Sequence, residues 1–380
     1  MIEDKKKKLY DKNIIIFLFL FLIIIAKVIR YTIMKDVLVI QSAGHGMLQE
    51  ILSENLSFTL FSSETLSNSA GSNASLFFHI INFFGVETYA HFEIYITILW
   101  NLLLLFLLAK TKKELTFKEL LFFILSILVL NIFCFNLAKE PMQFLYFFLM
   151  FIIMIKNISN RWKIFLSFCV ILLIAFTFRI YYFLIFIFAM AVYIIFSIFS
   201  KKKKQIKFKH IIFVFLALGV FYFLFLNLVK NIDPEIYLEL IRVRTRSGEA
   251  VSEMINLLPT TNLYYFTIDY LLMIIRMLFP IELLRLGAKY LPYVIYQIII
   301  SYMVISKIKA LNKNNKLTNL AISIYIGFLL GSAAFEPDFG SWVRHEAVTF
   351  PLLLVMFTMI KEKNQKGSSF NESIDYNTSI

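Results

Sequence analysis

The sequence predicts an all-α polytopic membrane protein with about ten transmembrane helices and two large extracytoplasmic loops. Hydrophobic residues make up 59% of the 380-residue chain, and its mean hydropathy is +0.76, which is well above the range of soluble domains. Apolar runs recur along the whole chain, at about the 20 residues that a helix needs to cross a bilayer. Basic clusters alternate with acidic or mixed-charge segments between these runs, as expected for successive crossings.

The apolar runs are taken in chain order as candidate crossings. The stretch 164–199 is too long for one crossing and contains Arg179, so we predict a helical hairpin with Arg179 at the turn. A single helix there would move the lysines of 307–316 to the side opposite the other lysine clusters. The predicted spans are 14–33, 92–109, 119–136, 142–155, 164–178, 181–199, 211–229, 290–306, 317–335 and 349–360.

Lysine-rich clusters determine the predicted orientation. They hold 25 of the 38 basic residues, and all fall on one side of the membrane when the runs cross in alternation. That side carries +17 and the other −4, so the positive-inside rule places both termini in the cytoplasm. Nucleic-acid binding is not expected, because short membrane loops lack a folded basic face. The clusters are Lys5 to Lys8 with Lys12, Lys110 to Lys118, Lys156 to Lys163, Lys201 to Lys209, Lys307 to Lys316 and Lys361 to Lys366.

We expect one integral membrane domain over residues 1–366, followed by a disordered cytoplasmic tail over 367–380. Outer loop 1 covers about 34–91, and outer loop 2 covers about 230–289. The apolar part of loop 2, residues 263–284, must begin and end on the outer side if the lysine rule holds. We therefore favour a re-entrant or interfacial helix pair over an ordinary crossing, which remains the alternative.

Motifs for metal, nucleotide or serine-hydrolase chemistry are absent from the sequence, so no cofactor is expected. The five histidines are scattered, which argues against a metal site. Cys134 and Cys169 both lie within apolar runs, where they act as small hydrophobic residues.

Arginines on the predicted outer side are the first candidates for function. Guanidinium groups at a membrane surface suit a phosphorylated lipid, because their rigid donor fork matches phosphate. Alternatives remain for several of them: a solvated loop face for 242–246, snorkelling or a pair with Glu140 for Arg179, and a pair with Asp269 for Arg276. The candidate diphosphate-binding residues are Arg179, Arg242, Arg244, Arg246, Arg276, Arg344 and Lys139.

Acidic residues and a histidine beside these cations are candidates for proton transfer. Segment 336–346 is the densest outer cluster, and it contains Glu336, Asp338 and His345. Glu140, which follows Lys139 and precedes Pro141, is a reserve candidate. The alternatives are a polar loop between helices for 336–346 and a simple hairpin turn at 139–141.

Four fragments together resemble Wzy-type bacterial polymerases of O-antigen and capsular polysaccharide. They are Lys139-Glu140-Pro141, Arg179-Ile-Tyr181, the arginine-rich loop of 242–246, and Asp338-Phe-Gly340 followed by Arg344-His345. The resemblance covers roughly residues 10–360 and implies a GT-C-like architecture. Members of the family are expected to carry arginines in both large outer loops, but the first outer loop here has none.

The resemblance implies a metal-independent glycosyltransferase in the bacterial cytoplasmic membrane. It would join repeat units carried on undecaprenyl diphosphate, with a chain-length-regulating co-polymerase as a possible partner. Two alternatives remain open. One is an O-antigen ligase or a polyprenyl-phosphate-sugar transferase, of which the transferase would use acids of the first outer loop such as Asp36 and Glu50. The other is a lipid-linked oligosaccharide flippase or transporter, although the repeat symmetry typical of transporters is not visible.

Overall fold

The computed structural model describes residues 9–34, 40–53, 56, 69–201, 208–232, 234–235, 238, 252–259, 262–309, 316–336 and 338–357. The predicted tail, 367–380, lies outside these residues. Within them the chain is almost entirely helical. The α-helices are α1 (Asn13–Thr32), α2 (Ile40–Leu52), α3 (Ser69–Ile81), α4 (Tyr89–Lys110), α5 (Phe117–Val129), α6 (Glu140–Ile155), α7 (Asn160–Thr177), α8 (Tyr182–Lys201), α9 (Phe208–Ile232), α10 (Leu263–Leu278), α11 (Leu291–Lys309), α12 (Lys316–Phe335), α13 (Phe339–Ala347) and α14 (Phe350–Met356).

The protein is a multi-pass membrane protein. Six helical segments of its described part are long and apolar enough to cross a bilayer. Every predicted span coincides with a helix, although only α14 represents the last one, and the prediction of ten crossings stays a prediction. The predicted break at Arg179 is confirmed, since α7 ends at Thr177 and α8 begins at Tyr182. The six segments are Asn13–Thr32, Tyr89–Lys110, Phe117–Cys134, Asn160–Thr177, Ala288–Lys309 and Lys316–Phe335.

Helix α12 is the central element of the bundle, because nearly all of its side chains are buried. Two glycines spaced four residues apart, Gly327 and Gly331, let it approach α8 closely. A Cβ atom added to Gly327 would lie 2.6 Å from the backbone nitrogen of Ala189, and one added to Gly331 would overlap Ile185. The Gly-x-x-x-Gly spacing is a sequence signal for this helix contact.

A two-stranded antiparallel sheet joins two lysine-rich segments at one end of the bundle. Strand β1 (Leu9–Asp11) pairs with β2 (Glu114–Thr116), which precedes α5. Next to it, the Lys12 ammonium donates to the carbonyls of Leu108, Ala109 and Thr111 at 3.2–3.3 Å, which satisfies the C-terminus of α4. The charge pattern did not predict this sheet. The sheet brings two of the lysine-rich segments to the same end of the bundle.

The opposite end of α5 widens into a π-helical turn, Leu130–Cys134. Its Asn131 exchanges side-chain hydrogen bonds of 2.8 and 3.0 Å with Asn101 of α4, which satisfies two buried amides. The sequence analysis treated residues 119–136 as one uninterrupted helix. Single π turns are frequent near functional sites, and this one packs against α13.

Both segments predicted as outer loops contain helices in their described parts. In loop 1, α2 packs on α3, and Glu50 accepts a hydrogen bond from Ser75 at 2.9 Å, so this glutamate links the two helices. In loop 2, where a re-entrant or interfacial helix pair was expected over residues 263–284, the chain forms α10 followed by a 3₁₀ segment, Ile281–Leu286. A second 3₁₀ turn, Ala288–Tyr290, leads into α11. That the segment begins and ends on the outer side stays a prediction.

Candidate functional site

The candidate site lies at the end of the bundle opposite the β1–β2 sheet, where three distant parts of the chain meet. Lys139 and Glu140 stand at the start of α6, which Pro141 helps to begin because proline suits the first turn of a helix. Arg179 occupies the turn between α7 and α8. Glu336 follows the last residue of α12, and Arg344 and His345 belong to α13. The structure therefore brings together six of the predicted site residues.

Glu336 holds the imidazole of His345 in one orientation. The Nδ1 atom of His345 lies 2.6 Å from Glu336 Oε1, and both side chains are buried. Tyr181 also donates to Oε1 at 3.4 Å, and Arg179 Nη1 approaches the same oxygen to 3.8 Å. Burial alone would raise the pKa of Glu336, but His345, Arg179 and Lys139 together lower it to about 2. Glu336 is therefore an ionised carboxylate that fixes Nδ1 as the donor and turns Nε2 away from itself.

Glu140 faces this free side of the imidazole. Its Oε1 atom lies 3.9 Å from His345 Nε2 and 3.5 Å from Arg344 Nη1. The carboxylate is completely buried, yet no side chain of the described residues donates a hydrogen bond to either of its oxygens, and none bonds to His345 Nε2. Buried polar atoms are normally satisfied, so this pair of groups has the capacity to bind a further partner.

Three cations border the buried Glu140–His345 pair, and we call Lys139, Arg179 and Arg344 the cationic rim. The side chains of Arg179 and Arg344 are 21% and 36% exposed, whereas those of the two glutamates are at most 2% exposed. Burial and the charge of Arg179 lower the pKa of Lys139 to about 8. An anion that arrives from solvent therefore meets cations first and carboxylates beneath them.

The rim arginines are held loosely. Arg344 donates from Nε to Gly340 O at 3.2 Å and from Nη2 to Ser341 Oγ at 3.4 Å, and its carboxylate contact is too long for a hydrogen bond. Arg179 Nη1 donates to Tyr181 OH at 3.2 Å. For Arg179 we had considered a pair with Glu140; the carboxylate that it meets is that of Glu336.

Arg276 does not join the rim, although the sequence analysis grouped it with the diphosphate-binding residues. Its guanidinium binds both carboxylate oxygens of Glu282 at 2.6–3.0 Å and donates to Ile255 O at 2.8 Å. The alternative considered from the sequence, a pair with Asp269, is also not what forms, because Asp269 accepts from the backbone of Leu257 at 2.7 Å. The partner of Arg276 is instead Glu282, six residues later in the chain and beyond the end of α10.

Asp338 has a structural position instead of one facing His345. Segment 336–346 was expected as a polar loop or site cluster, but residues from Phe339 onward form α13, and Asp338 caps this helix. Its Oδ1 atom accepts from the backbone of Ser341 at 2.8 Å and from Ser252 Oγ at 3.5 Å. Of the two acids, Glu336 is the one that contacts His345, and a role of Asp338 in proton transfer stays a prediction.

Arg242, Arg244 and Arg246 lie outside the described residues, and their role in binding stays a prediction. A second buried ionic cluster was not predicted from the sequence. In it, Arg30 and Lys27 of α1 approach Glu93 Oε1 of α4 at 3.2 and 3.6 Å. Its sequence signal is an acid in an otherwise apolar run, opposite two bases. These bases also donate to carbonyls at the end of the π turn and the loop that follows, at Ile132 and Phe135. The cluster thereby anchors the backbone that leads to Lys139.

The chain matches no protein-family model, no curated protein and no solved structure. The resemblance to Wzy-type polymerases therefore depends on the short fragments, and three of the four fragments contribute residues to this site. Among the described residues, no group of three or more His, Cys, Asp or Glu is placed to hold a metal ion. The arrangement is chemically suited to bind an anion at the rim and to move a proton at the buried pair.

Proposed function

We propose that this protein is a Wzy-type polysaccharide polymerase that joins undecaprenyl-diphosphate-linked repeat units at the outer face of the bacterial cytoplasmic membrane. The observation that carries the proposal is the convergence of the cationic rim with the Glu140–His345 pair, at the end of the bundle opposite the lysine-rich sheet. The orientation with ten crossings and cytoplasmic termini, inferred from the lysine distribution, is part of the proposal.

The rim would hold the donor diphosphate. Arg179 and Arg344 offer partly exposed guanidinium groups whose contacts with Glu336 and Glu140, at 3.8 and 3.5 Å, are longer than good hydrogen bonds, and Lys139 adds a third charge. As the bond between the anomeric carbon and the diphosphate oxygen breaks, its electron pair passes to that oxygen. Cations positioned beforehand stabilise this developing charge, and such contacts are typically worth about 100-fold or more in rate. Arg242, Arg244 and Arg246 are proposed to assist.

The buried pair would accept the proton of the acceptor sugar hydroxyl. The hydroxyl oxygen attacks the anomeric carbon and its proton passes to Glu140 or to His345 Nε2, whose orientation Glu336 maintains. Glu336 is thus a positioning residue. A single displacement of this kind inverts the anomeric configuration. The resemblance implies that the cations take the place of a divalent metal.

The test is polymerisation in vitro from purified lipid-linked repeat units, read as a ladder of product lengths. Arg179→Ala and Arg344→Ala should each reduce ladder formation by about 100-fold, whereas Arg285→Ala, a matched change at an exposed arginine of the 3₁₀ segment, should not. A ladder that persists when both rim arginines are replaced would refute the assignment. Addition of one sugar would indicate a transferase, attachment to a lipid acceptor would indicate a ligase, and translocation without chain growth would indicate a flippase.

A further inference from the structure

Glu140 is ionised in a site that gives it almost no hydrogen-bonding support. A buried carboxylate normally accepts several hydrogen bonds, but no side chain of the described residues donates one to Glu140. What stabilises its negative charge is the surrounding positive charge. By contrast, Glu336 accepts from both His345 and Tyr181. The two carboxylates of the site therefore differ in what keeps them ionised.

The charged and titratable groups around Glu140 come from each neighbouring element. Lys139 precedes it, and Arg344 and His345 approach it from α13 at 3.5 and 3.9 Å. Arg179 of the α7–α8 turn acts on it from a greater distance, and Cys134 of the π turn lies nearby. All three cations in this set belong to the rim. The same charges therefore stabilise ionised Glu140 and would bind the proposed anion.

We propose that a phosphate group at the cationic rim raises the proton affinity of Glu140 and thereby converts it into the proton acceptor of the reaction. This inference rests on the proposed function. A bound diphosphate neutralises the rim and adds negative charge close to Glu140, and either change favours the protonated carboxyl group. Glu336 also lies near Arg179 and Lys139, but it keeps its hydrogen bonds from His345 and Tyr181 when the rim is neutralised, so it remains ionised.

Through this coupling, Glu140 becomes a stronger base only when the donor diphosphate is bound at the rim. With the rim empty, Glu140 is stabilised as an ion and is a weak base. With the donor bound, it takes the proton from the acceptor hydroxyl while the hydroxyl oxygen forms the new bond to the anomeric carbon. The electron pair of the broken bond leaves with the diphosphate. Linkage is reciprocal, so removal of the Glu140 charge must also tighten diphosphate binding.

Infrared spectroscopy of the full-length protein in detergent provides the test, with inorganic diphosphate as the probe. The protonated-carboxyl band is followed against pH with and without diphosphate, and protons exchanged by Lys139 or by diphosphate itself do not contribute to it. The titration midpoint of one carboxyl group should rise by at least about one pH unit with diphosphate, a tenfold change in proton affinity. That band should be absent from Glu140→Gln and shifted in frequency in Glu140→Asp, which keeps a carboxyl group if the amide variant fails to fold.

Diphosphate affinity gives a second measurement on the same variants. Glu140→Gln should bind inorganic diphosphate roughly tenfold more tightly than the wild type, while Glu87→Gln, at an exposed glutamate before α4, should leave the affinity unchanged. Binding of diphosphate without movement of the midpoint would overturn this inference and leave the proposed function standing. Absence of diphosphate binding to the wild type would overturn both.

Discussion

We expect Arg276 to be a structural cation and not one that binds substrate. The variant Arg276→Ala tests this directly by comparison with Arg344→Ala. The Arg276 side chain is 13% exposed and makes three contacts of 2.6–3.0 Å with Glu282, together with a bond of 2.8 Å to Ile255 O. The last bond ties segment 252–259 to the end of α10. The backbone of Glu253, in the same segment, forms an isolated antiparallel β-bridge with the backbone of Asp338. Arg276 therefore supports the start of α13 indirectly.

The expected cost of Arg276→Ala follows from these contacts. An exposed ion pair contributes about 0–1 kcal/mol, whereas charge-assisted hydrogen bonds in a bidentate pair contribute about 1.5–3 kcal/mol. Because Glu282 is 31% exposed, we expect a value in the lower half of the second range, about 2 kcal/mol. This corresponds to roughly a 30-fold change in the ratio of folded to unfolded protein.

The assay measures the unfolding of purified protein in detergent, followed by ladder formation per folded molecule. Arg276→Ala should lower stability and retain polymerisation, and Glu282→Gln should produce a similar loss that is not additive with it. Arg344→Ala should show the opposite pattern, in which activity is lost and stability changes little. If Arg276→Ala instead abolished polymerisation at unchanged stability, Arg276 would contact substrate, as the sequence analysis predicted, and our reading of its closed ion pair would be wrong.

Two further predictions concern packing and pH. Gly327→Ala should destabilise the bundle by about 1–3 kcal/mol, because its Cβ would lie 2.6 Å from the backbone nitrogen of Ala189. Gly46→Ala is the control, since open space surrounds Gly46. Equal stability of the two variants would contradict the packing argument. Diphosphate binding should weaken as the pH rises through about 8, where Lys139 loses its charge, by at most about tenfold per pH unit. Lys139→Arg, which stays charged, should move this decline to higher pH, and an unchanged profile would exclude Lys139 as the titrating group.

The helices were predictable from sequence because the bilayer imposes a local requirement. A crossing segment must be apolar over its own length, so each predicted run became a helix, and the cost of crossing with Arg179 mid-span placed a turn there. The grouping of Lys139, Glu140, Arg179 and His345 as candidates also followed from local reasoning, since each is a polar residue beside a membrane span.

The partners of those residues were not predictable, because they depend on how the helices pack. Asp338 and Glu336 are two residues apart and were equivalent candidates in the sequence, yet one caps α13 and the other orients His345. Arg276 was expected to bind phosphate or Asp269 and meets Glu282 instead.

The sequence by itself determined the environment of this protein, the positions of its helices and the set of charged residues at their ends. Only the tertiary structure decided which of those charges form close ion pairs and which remain available to bind an anion. Apolar length acts within one segment, whereas an ion pair requires two side chains to meet. In this chain the close approach of α8 and α12, permitted by Gly327 and Gly331, brings Arg179 to Glu336 and so to His345.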